Sequence, residues 1–567
     1  MHEGRRVGLS LRDAISQVTA PGQLFEVVDR TTDGVTRRVF VNSPATLRDI
    51  FDGARGAHET FLVYEGEEWS FDDVMRSVDE FADALVNHFE VRRGDRVAIA
   101  MRNLPEWIVA FAAIVSVGAV AVSLNAWWTS DELDFAINDA DVRVVVADED
   151  RCARVIETCR RRQTPVVLAR GDVTASAPAG VVHWVDIVVR GAKMPAVELS
   201  SGDDATILYT SGTTGQPKGA VSTHDAICQT LMAFSTGLVV EGHRRGPRDH
   251  APRDPTCFIL IVPLFHVTGC VPVMLSCFSW HFKLVMMHRW EPEAALSLVE
   301  KYRVTNVVGV PTQSWDLVNF PRFAAFDTSS LVTVGGGGAP APPSLVRRVD
   351  EVFENARPNL AFGMTETNAY GPQNYGDDFQ RHPTSTGQTP TVVMDVEIRD
   401  VQGAALAPGR VGEIWVSGPT LFRGYWRQPE ATAEALVDGW LRTGDVGYLD
   451  EEGFLFIEDR LKDMILRGGA NVYCAEVESV IYEHPSVWEA AVCGLPDERL
   501  GESVAAVVVV REGERLSEEE LIDFLTSRLA LYKIPTRIAM TSERLPTNAT
   551  GKIVKNLLAG RYFRTTS

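Results

Sequence analysis

Short apolar runs alternate with helical segments from about Ser43 onward. "RGDRVAIAM" (93–101) and "VRVVVAD" (142–148) predict strands, and between them "TSDELDFAINDA" predicts a helix that begins with a capping box of Thr129 and Glu132. The later runs "CFILIV", "TNVVGV" and "LVTV" repeat the pattern. Because uninterrupted apolar strands separated by helices form parallel sheets covered on both faces, the sequence predicts an α/β protein.

One stretch without any charge could be mistaken for a membrane span. Residues 107–130, "WIVAFAAIVSVGAVAVSLNAWWTS", are long enough to cross a bilayer. However, Ser116, Gly118, Ser123 and Asn125 interrupt the run, and "AVAVSL" is typical of a strand. We therefore predict a buried helix, a turn and a strand, and no transmembrane segment.

The character of the sequence changes after about Thr391. "VVMDVEIRD", "VGEIWVSG" and "VGYLDEEGFLFIED" predict antiparallel strands joined by Gly and Asp turns. A module of α+β character follows, with a helix that begins at the capping box of Ser517 and Glu520. We predict an unassigned N-terminal extension (1–45), a large domain (46–459) and a C-terminal domain (460–567).

Composition narrows the range of partners. The chain has 567 residues, too many for one ordinary core, and a formal net charge of −21 argues against binding to nucleic acid or anionic membranes. Its eight cysteines form no C-x-x-C pair, so neither a zinc site nor a disulfide framework is predicted. The start, "MHEGRRVGLSLRD", lacks an apolar signal region, and we expect a cytoplasmic protein. The sequence does not distinguish a monomer from a homo-oligomer.

A loop rich in glycine and hydroxyls follows the apolar run "ATILY". It reads "YTSGTTGQPKG", from Tyr209 to Gly219. Glycines let the backbone approach a ligand closely, while hydroxyls and Lys218 supply donors and a positive charge, which suits phosphate. The spacing does not match the common nucleotide loop, in which Gly-Lys is followed by Ser or Thr. An ordinary flexible surface loop is the alternative.

Other clusters along the chain also contain reactive side chains. Each of them also has a purely structural interpretation. His266 in "PLFHVTG" could be a core residue, Asp445 in "DGWLRTGD" could cap a turn, and Lys552 in "LPTNATGKIVK" could be a solvated charge. Glu366 in "AFGMTETN" could begin a helix, and "VGGGGAP" (334–340) could form a tight turn. "DRLKDMI" adds Arg460 and Lys462.

The joint order of these motifs resembles the superfamily of AMP-forming acyl-CoA synthetases, firefly-type luciferases and adenylation domains. "YTSGTTGQPKGA", "GMTET", "GYWRQPEAT", "GWLRTGD", "DRLKDMI" and "LPTNATGK" follow in family order between about residues 45 and 560. The resemblance implies a large N-terminal domain of two α/β subdomains plus a distorted β-barrel, and a small mobile C-terminal domain. It also implies activation of a carboxylic acid by ATP with Mg²⁺, followed by transfer of the acyl group from AMP to CoA.

The resemblance implies a role for each matching residue. The β- and γ-phosphates would be held by Thr210, Ser211, Gly212, Thr213, Thr214, Gly215 and Lys218. The adenine would lie against Gly337, Gly338, Ala339, Phe362 and Gly363. Thr365 would contact the α-phosphate, Glu366 with Thr213 would hold Mg²⁺, and Asp445 with Arg460 would bind the ribose.

Two orientations of the C-terminal domain are implied as well. Lys552 would bridge the acid and the α-phosphate in the first orientation, and a rotation about Lys462 would produce the second. Gly468 and Gly469, in the loop "RGGAN", would then line the path of the CoA pantetheine arm. His266 would lie near the acyl pocket.

Four positions depart from the family pattern. Many relatives have Glu at Ala470, Pro at Cys474, Tyr at Phe362 and Gly at Asp459. None of these changes removes a charged catalytic group. Together these departures bear on the second half-reaction, because residue 470 lies near the path of the thiol.

Three functions stay open at this point: an acyl-CoA ligase, an adenylation enzyme that loads a carrier protein, and a non-catalytic nucleotide-binding protein. His266 and Val267 stand where amino-acid-activating members carry Asp, which disfavours an amino acid as substrate. The stretches that follow His266 and Val310 are largely apolar, so we expect a fatty, aryl or steroid side-chain acid.

Overall fold

The computed structural model describes most of the chain. The described residues are 9–32, 34–171, 177–210, 217–245, 254–339, 341–389, 391–461, 463–467, 470–497, 499–548 and 552–563.

Strands and helices alternate along this chain. The strands are β1 Val27–Thr32, β2 Val35–Phe40, β3 Thr60–Tyr64, β4 Glu67–Ser70, β5 Arg96–Ala100, β6 Val120–Ser123, β7 Val144–Ala147, β8 Val166–Leu168, β9 Val181–His183, β10 Asp204–Thr210, β11 Lys218–Thr223, β12 Cys257–Leu260, β13 Lys283–Met286, β14 Asn306–Gly309, β15 Thr333–Gly337, β16 Arg357–Ala361, β17 Gln373–Tyr375, β18 Ser385–Gln388, β19 Asp395–Arg399, β20 Gly412–Ser417, β21 Gly424–Tyr425, β22 Leu436–Val437, β23 Trp440–Leu449, β24 Phe454–Arg460, β25 Ile465–Arg467, β26 Ala470–Val472, β27 Val487–Asp497, β28 Gly501–Val510 and β29 Arg537–Thr541. The α-helices are α1 Leu11–Val18, α2 Leu47–Asp52, α3 Phe71–Asp83, α4 Pro105–Ser116, α5 Ser130–Asp139, α6 Glu149–Arg162, α7 Trp184–Ile187, α8 His224–Arg245, α9 Ser276–Trp280, α10 Pro292–Tyr302, α11 Pro311–Val318, α12 Pro343–Val352, α13 Gly376–Arg381, α14 Pro429–Ala435, α15 Cys474–Tyr482, α16 Glu518–Thr526 and α17 Leu558–Tyr562.

Two eight-stranded, mainly parallel sheets form the larger part of the molecule. Their strand orders are β21-β11-β10-β6-β5-β7-β8-β9 and β17-β16-β15-β14-β12-β13-β3-β4. The strands predicted from apolar runs, β5, β7, β12, β14 and β15, pair in parallel with their neighbours. The prediction of a mixed α/β protein with parallel sheets is therefore confirmed.

Most of the charge-free stretch lies in a hydrophobic core that includes residues of both eight-stranded sheets. Every residue of α4 except Glu106 is buried, and β6 is buried along its whole length. Gly118 makes the turn between them with φ +78°, a conformation that glycine adopts without strain. The prediction of helix, turn and strand is confirmed. None of the described helices combines the length and the apolar run that a membrane crossing requires.

Antiparallel strands form two further sheets. The first has the order β18-β24-β23-β20-β19, with β22 paired to β23, where the sequence predicts antiparallel strands and the family resemblance implies a distorted barrel. Among the described strands its two end members do not pair with each other. The second lies in the C-terminal α+β module and has the order β26-β25-β28-β27, with β29 added in parallel to β28. Both predicted capping boxes, at α5 and α16, are present.

The N-terminal segment, which the sequence leaves unassigned, is held against the larger part of the molecule. α1 packs on α8, and β1 and β2 form a hairpin. Phe40 donates its backbone N–H to Gln229 Oε1 of α8 at 2.8 Å, and the Phe25 ring contacts Phe40 and Trp280. These contacts join residues far apart in sequence, which explains why local patterns do not predict them.

The C-terminal module contacts α11 of the larger part. The rings of Trp315 and Trp488 meet edge to face at 6.3 Å between centroids. Arg511 lies over both rings, and Arg544 bridges Asp316 and Glu489. These contacts enclose one side of a large cavity between the two parts.

Candidate active site

A large cavity lies between the C-terminal ends of β15 and β16, the antiparallel sheet and the C-terminal module. Its volume is about 480 Å³, within the range of small-molecule sites. It is lined by Gly338, Ala339, Phe362, Gly363, Asp445, Arg460 and Lys552, which are all sequence-predicted site residues. The motifs that the sequence scatters over two hundred residues therefore meet in one place.

One wall of the cavity is made of backbone and an aromatic ring. β15 and β16 pair in parallel so closely that a Cβ on Gly337 would lie 2.6 Å from the Ala361 carbonyl oxygen. Gly338 follows with φ +84° and borders the cavity with Ala339. Phe362, directly after β16, lines the same space. A flat, apolar slot of this kind can accept an aromatic base.

A carboxylate and a guanidinium face the cavity from adjacent strands. Asp445 in β23 and Arg460 in β24 are register partners, and Arg460 Nε lies 3.1 Å from Asp445 Oδ1. Only 5% of Asp445 is exposed. Burial raises the pKa of Asp445, and the positive charges of Arg460 and Lys552 partly offset this increase. An acceptor-only carboxylate held in this way can receive hydrogen bonds from hydroxyl groups.

A tight turn presents Thr365 and Glu366. Gly363 begins it, and a Cβ there would lie 2.3 Å from the Ala369 carbonyl oxygen, so only glycine fits. Residues Thr365–Thr367 form a 3₁₀ turn rather than the start of an α-helix. Burial raises the pKa of Glu366, and the Tyr425 hydroxyl donates a hydrogen bond to its Oε1 at 2.8 Å.

The two described residues at the ends of the glycine-rich loop lie close to Tyr425, the hydrogen-bond partner of Glu366. Thr210 ends β10 and Lys218 begins β11, and the two residues pair across an antiparallel ladder. Lys218 Nζ lies 5.1 Å from the centroid of the Tyr425 ring, and Tyr425 belongs to the neighbouring strand β21. Tyr425 thus contacts both the lysine and Glu366.

Lys552 reaches the cavity from the C-terminal module. Its backbone is fixed by Asn548, whose Oδ1 accepts from Lys552 N at 3.0 Å and whose N–H donates to Lys552 O at 2.8 Å. Burial lowers the pKa of Lys552 to about 8, and the charge of Arg460 adds to this effect. The negative charges of Asp445 and Asp463 raise the pKa of Lys552 and so oppose this decrease.

His266 lies at the end of the segment that follows β12. Burial, together with the nearby charge of Lys552, lowers the pKa of His266 to about 4. The imidazole is therefore neutral at physiological pH. Its Nδ1 accepts a weak hydrogen bond of 3.4 Å from Thr268 N. His266 thus lies within electrostatic reach of Lys552, on the apolar side of the site.

Several predicted site residues lie outside the described part of the chain. They are Ser211, Gly212, Thr213, Thr214, Gly215, Lys462, Gly468 and Gly469. Their roles stay predictions. The described residues hold no cluster of three or more His, Cys, Asp or Glu side chains that could bind a metal alone. Glu366 nevertheless fits Mg²⁺, which commonly takes one or two carboxylates and completes its shell with phosphates and water.

Two departures from the family pattern are coupled to each other. The Asp459 carboxylate accepts the backbone N–H of Cys474, the first residue of α15. A proline at position 474 would have no N–H to donate. Cys474 Sγ also lies 3.1 Å from the Asp463 carbonyl oxygen. The cysteine therefore supports a contact between β24 and the C-terminal module.

Sequence reasoning did not assign a role to several residues in and around the site. Tyr425 lies within the motif "GYWRQPEAT", which was the only available signal. Trp315, Trp488 and Arg544 line the far side of the cavity, although the sequence placed the stretch around Trp315 in the acyl pocket. No pattern along the chain connects residues 315 and 488.

Comparison with known proteins agrees with this geometry. The sequence pattern described as AMP-binding enzyme matches residues 52–426, and that of the AMP-binding enzyme C-terminal domain matches residues 476–552. A feruloyl-CoA synthase of an Amycolatopsis species is 35% identical over 510 residues, 89% of this chain and 96% of its own length. A long-chain-fatty-acid–CoA ligase of Mycobacterium tuberculosis is 34% identical over 482 residues, 84% of this chain and 90% of its own.

Solved structures share the fold. ATP-bound MatB from Rhodopseudomonas palustris aligns with a TM-score of 0.78 at 29% identity, covering 90% of this chain and 97% of its own. The o-succinylbenzoate CoA synthetase of Bacillus subtilis, in complex with its acyl-adenylate, aligns with a TM-score of 0.76 at 27% identity, covering 91% and 98%.

The fold and the site together define an adenylate-forming enzyme, and the chain belongs to the AMP-binding enzyme family. Within it, the protein is an acid–thiol ligase of the acyl-CoA synthetase type. It uses ATP and Mg²⁺ to convert a carboxylic acid into acyl-AMP and then forms a thioester with CoA.

Proposed function

We propose that the cavity around Asp445 and Lys552 holds the nucleotide and the reacting carboxylate. In this proposal Asp445 accepts the ribose hydroxyls, with Arg460 beside it, and the slot formed by Gly337, Gly338, Ala339, Phe362 and Gly363 takes the adenine. The observation that carries the proposal is the convergence of these side chains with Lys552 in one cavity of about 480 Å³.

The reaction requires stabilisation of charge at the α-phosphate. Lys552 supplies a positive charge between the acid and the phosphorus while the C–O–P bond forms and pyrophosphate leaves. Thr365 donates to the α-phosphate, and Lys218 and Thr210 hold the leaving pyrophosphate with the loop 211–215. Glu366, with Thr213, holds Mg²⁺, which neutralises phosphate charge when bound. Positioning and electrostatic stabilisation account for most of the expected rate enhancement.

The acid bound by this enzyme is apolar. The helix that follows His266, Gly269–Leu275, buries Cys270, Val271, Val273 and Met274. A neutral His266 beside Lys552 separates the charged reaction centre from this apolar side. Ferulate-like aryl acids and long-chain fatty acids, the acids named for two of the relatives, are the classes to test first.

A panel of aryl and fatty acids, incubated with ATP, Mg²⁺ and CoA or buffer alone, tests the proposal through AMP and thioester detection. We expect AMP and acyl-CoA to form in equal amounts with an apolar acid. AMP without thioester would favour a carrier protein, and no AMP with any acid would contradict the proposed site.

We also propose that the protein works in the cytoplasm. All eight cysteines are free and buried, as a reducing compartment permits. Fractionation of source cells followed by immunodetection tests this proposal, and recovery in an extracellular fraction would contradict it.

A further inference from the structure

An aromatic contact joins the C-terminal module to the larger part of the molecule. Trp315 of α11 and Trp488 of β27 meet edge to face, and the Arg511 guanidinium lies 5.5 and 5.2 Å from the centroids of the two rings. Arg511 Nε also donates to the Pro485 carbonyl at 2.8 Å, so the guanidinium is held in place by its own module. An aromatic pair with a cation over it attracts most strongly where the groups are shielded from water.

Helix α11, which carries Trp315, also borders the candidate active site. It begins directly after Val310, and Val310 and Pro311 line the cavity. Gln313 of the same helix accepts from Val310 N at 3.0 Å and donates to the Ile261 carbonyl at 2.9 Å. These bonds fix α11 on the parallel sheet, so a module that docks on Trp315 is held at a defined position relative to the cavity.

The module's side of the contact is connected to Lys552. Glu489, the residue after Trp488, is buried and accepts the backbone N–H of Leu545 at 2.9 Å. Asn548, three residues further along the chain, holds the backbone of Lys552 through hydrogen bonds of 3.0 and 2.8 Å. Movement of the module away from α11 would therefore carry Lys552 with it.

An ion pair adds a weaker contact beside the two rings. Arg544 Nε lies 2.6 Å from Glu489 Oε1 in its own module, and Arg544 Nη1 lies 3.5 Å from Asp316 Oδ1 of α11. The other oxygen of Asp316 accepts from Trp290 Nε1 at 3.0 Å. Because 55% of the Arg544 side chain is exposed, water screens its pair with Asp316, and the rings supply more of the attraction.

We propose, on the premise that Lys552 acts as in the proposed function, that Trp315 is a positioning residue for acyl-AMP formation. Its contact with Trp488 and Arg511 docks the module so that the Lys552 amine reaches the α-phosphate. Trp315 also borders the far side of the cavity, so a direct contact with ATP is the alternative. The two roles differ in kinetics, because docking acts on kcat whereas a contact with bound ATP acts on the KM for ATP.

Pyrophosphate release during acyl-AMP formation tests the proposal. Since the rate is proportional to the docked fraction of the enzyme, we expect W315A to lower kcat about tenfold, the scale of one aromatic pair with its cation, and to leave the KM for ATP unchanged. W315F keeps a ring beneath Arg511 and should recover most of the rate. D316N should lower kcat only about twofold.

Two matched controls lie on the larger part of the molecule, away from the module. W280A removes an indole that packs on Phe25, and D327N removes a carboxylate that pairs with Arg303. Neither should change kcat or the KM for ATP.

A double variant and the second half-reaction separate this proposal from the proposed function. In a K552A background W315A should cause no further loss, because docking acts only by delivering the Lys552 amine. Conversion of preformed acyl-AMP to thioester should stay at the wild-type rate in W315A. A wild-type rate of acyl-AMP formation in K552A would contradict the proposed function itself.

Three results would overturn the positioning role while leaving the proposed function intact: an unchanged kcat in W315A, a raised KM for ATP in that variant, or a further tenfold loss when W315A is added to K552A. Thermal unfolding midpoints show whether each variant folds. R511Q removes the cation and keeps both rings, so it replaces W315A if that variant does not fold, and it should lower kcat with the KM for ATP unchanged.

Discussion

The Tyr425 hydroxyl lies 2.8 Å from Glu366 Oε1 and donates a hydrogen bond to it. The same ring faces Lys218 Nζ, so one side chain positions both a carboxylate and an ammonium group. Since a hydrogen bond to a carboxylate favours its ionised form, Tyr425 opposes the effect of burial on Glu366.

We therefore expect Y425F to weaken the response to Mg²⁺. Loss of a hydrogen bond to a charged group costs about 1.5–3 kcal/mol, so the Mg²⁺ concentration for half-maximal activity should rise at least about tenfold. Pyrophosphate release at varied Mg²⁺ measures this effect. Y302F, on a helix away from the cavity, is the control, and an unchanged Mg²⁺ response in Y425F would contradict the positioning role.

Much of the architecture could be predicted from local patterns. The capping box at Thr129 and the charge-free stretch that forms α4 and β6 depend on residues close together in sequence. Both can therefore be predicted without knowledge of the fold. The hairpin β1–β2 was not predicted, because its burial depends on partners such as Gln229.

The residues of the candidate site also fall into two groups, those that the sequence identifies and those that it does not. Asp445 and Lys552 could be identified because each lies in a motif whose order along the chain resembles a known family. The contact between Trp315 and Trp488 could not, because the two residues lie far apart in sequence and no motif marks them.

Asp445 provides a second prediction, on nucleotide selectivity. D445N keeps the shape of the side chain and removes its charge, so it weakens both the pair with Arg460 and acceptance from the ribose hydroxyls. We expect the KM for ATP to rise by about 10- to 100-fold. Initial rates with ATP and 2′-deoxy-ATP measure the change.

The deoxy substrate makes this test specific. The wild-type enzyme should prefer ATP over 2′-deoxy-ATP, and D445N should lose most of that preference. A preference that survives in D445N would place the ribose elsewhere.

The pKa of Lys552 provides a prediction on pH. Because burial lowers this pKa to about 8, the amine loses its proton as the pH rises through about 8, and its positive charge disappears. We expect kcat/KM for acyl-AMP formation, which reports the free enzyme, to fall above that pH. K552R, whose side chain stays charged, should have low activity without this alkaline decrease. A wild-type profile that stays flat to pH 10 would argue against the role.

Gly363 provides a prediction on stability and binding together. A Cβ at this position would lie 2.3 Å from the Ala369 carbonyl oxygen, so G363A must displace the turn that carries Thr365 and Glu366. We expect a loss of about 1–3 kcal/mol in stability and a weaker affinity for ATP. G242A, at an exposed position in the last turn of α8 where a Cβ would meet nothing within 4 Å, should instead raise the thermal midpoint slightly. Thermal unfolding with and without ATP compares the two variants.

Removal of the Lys552 amine tests the central claim most directly, and K552A should be assayed in each half-reaction separately. We predict that acyl-AMP formation, followed by pyrophosphate release, falls by at least about a thousandfold, the order expected when a charge at the reacting phosphate is lost. Conversion of preformed acyl-AMP to thioester in a single turnover should stay close to the wild-type rate. An equal loss in both half-reactions, or a wild-type rate of acyl-AMP formation, would contradict the account.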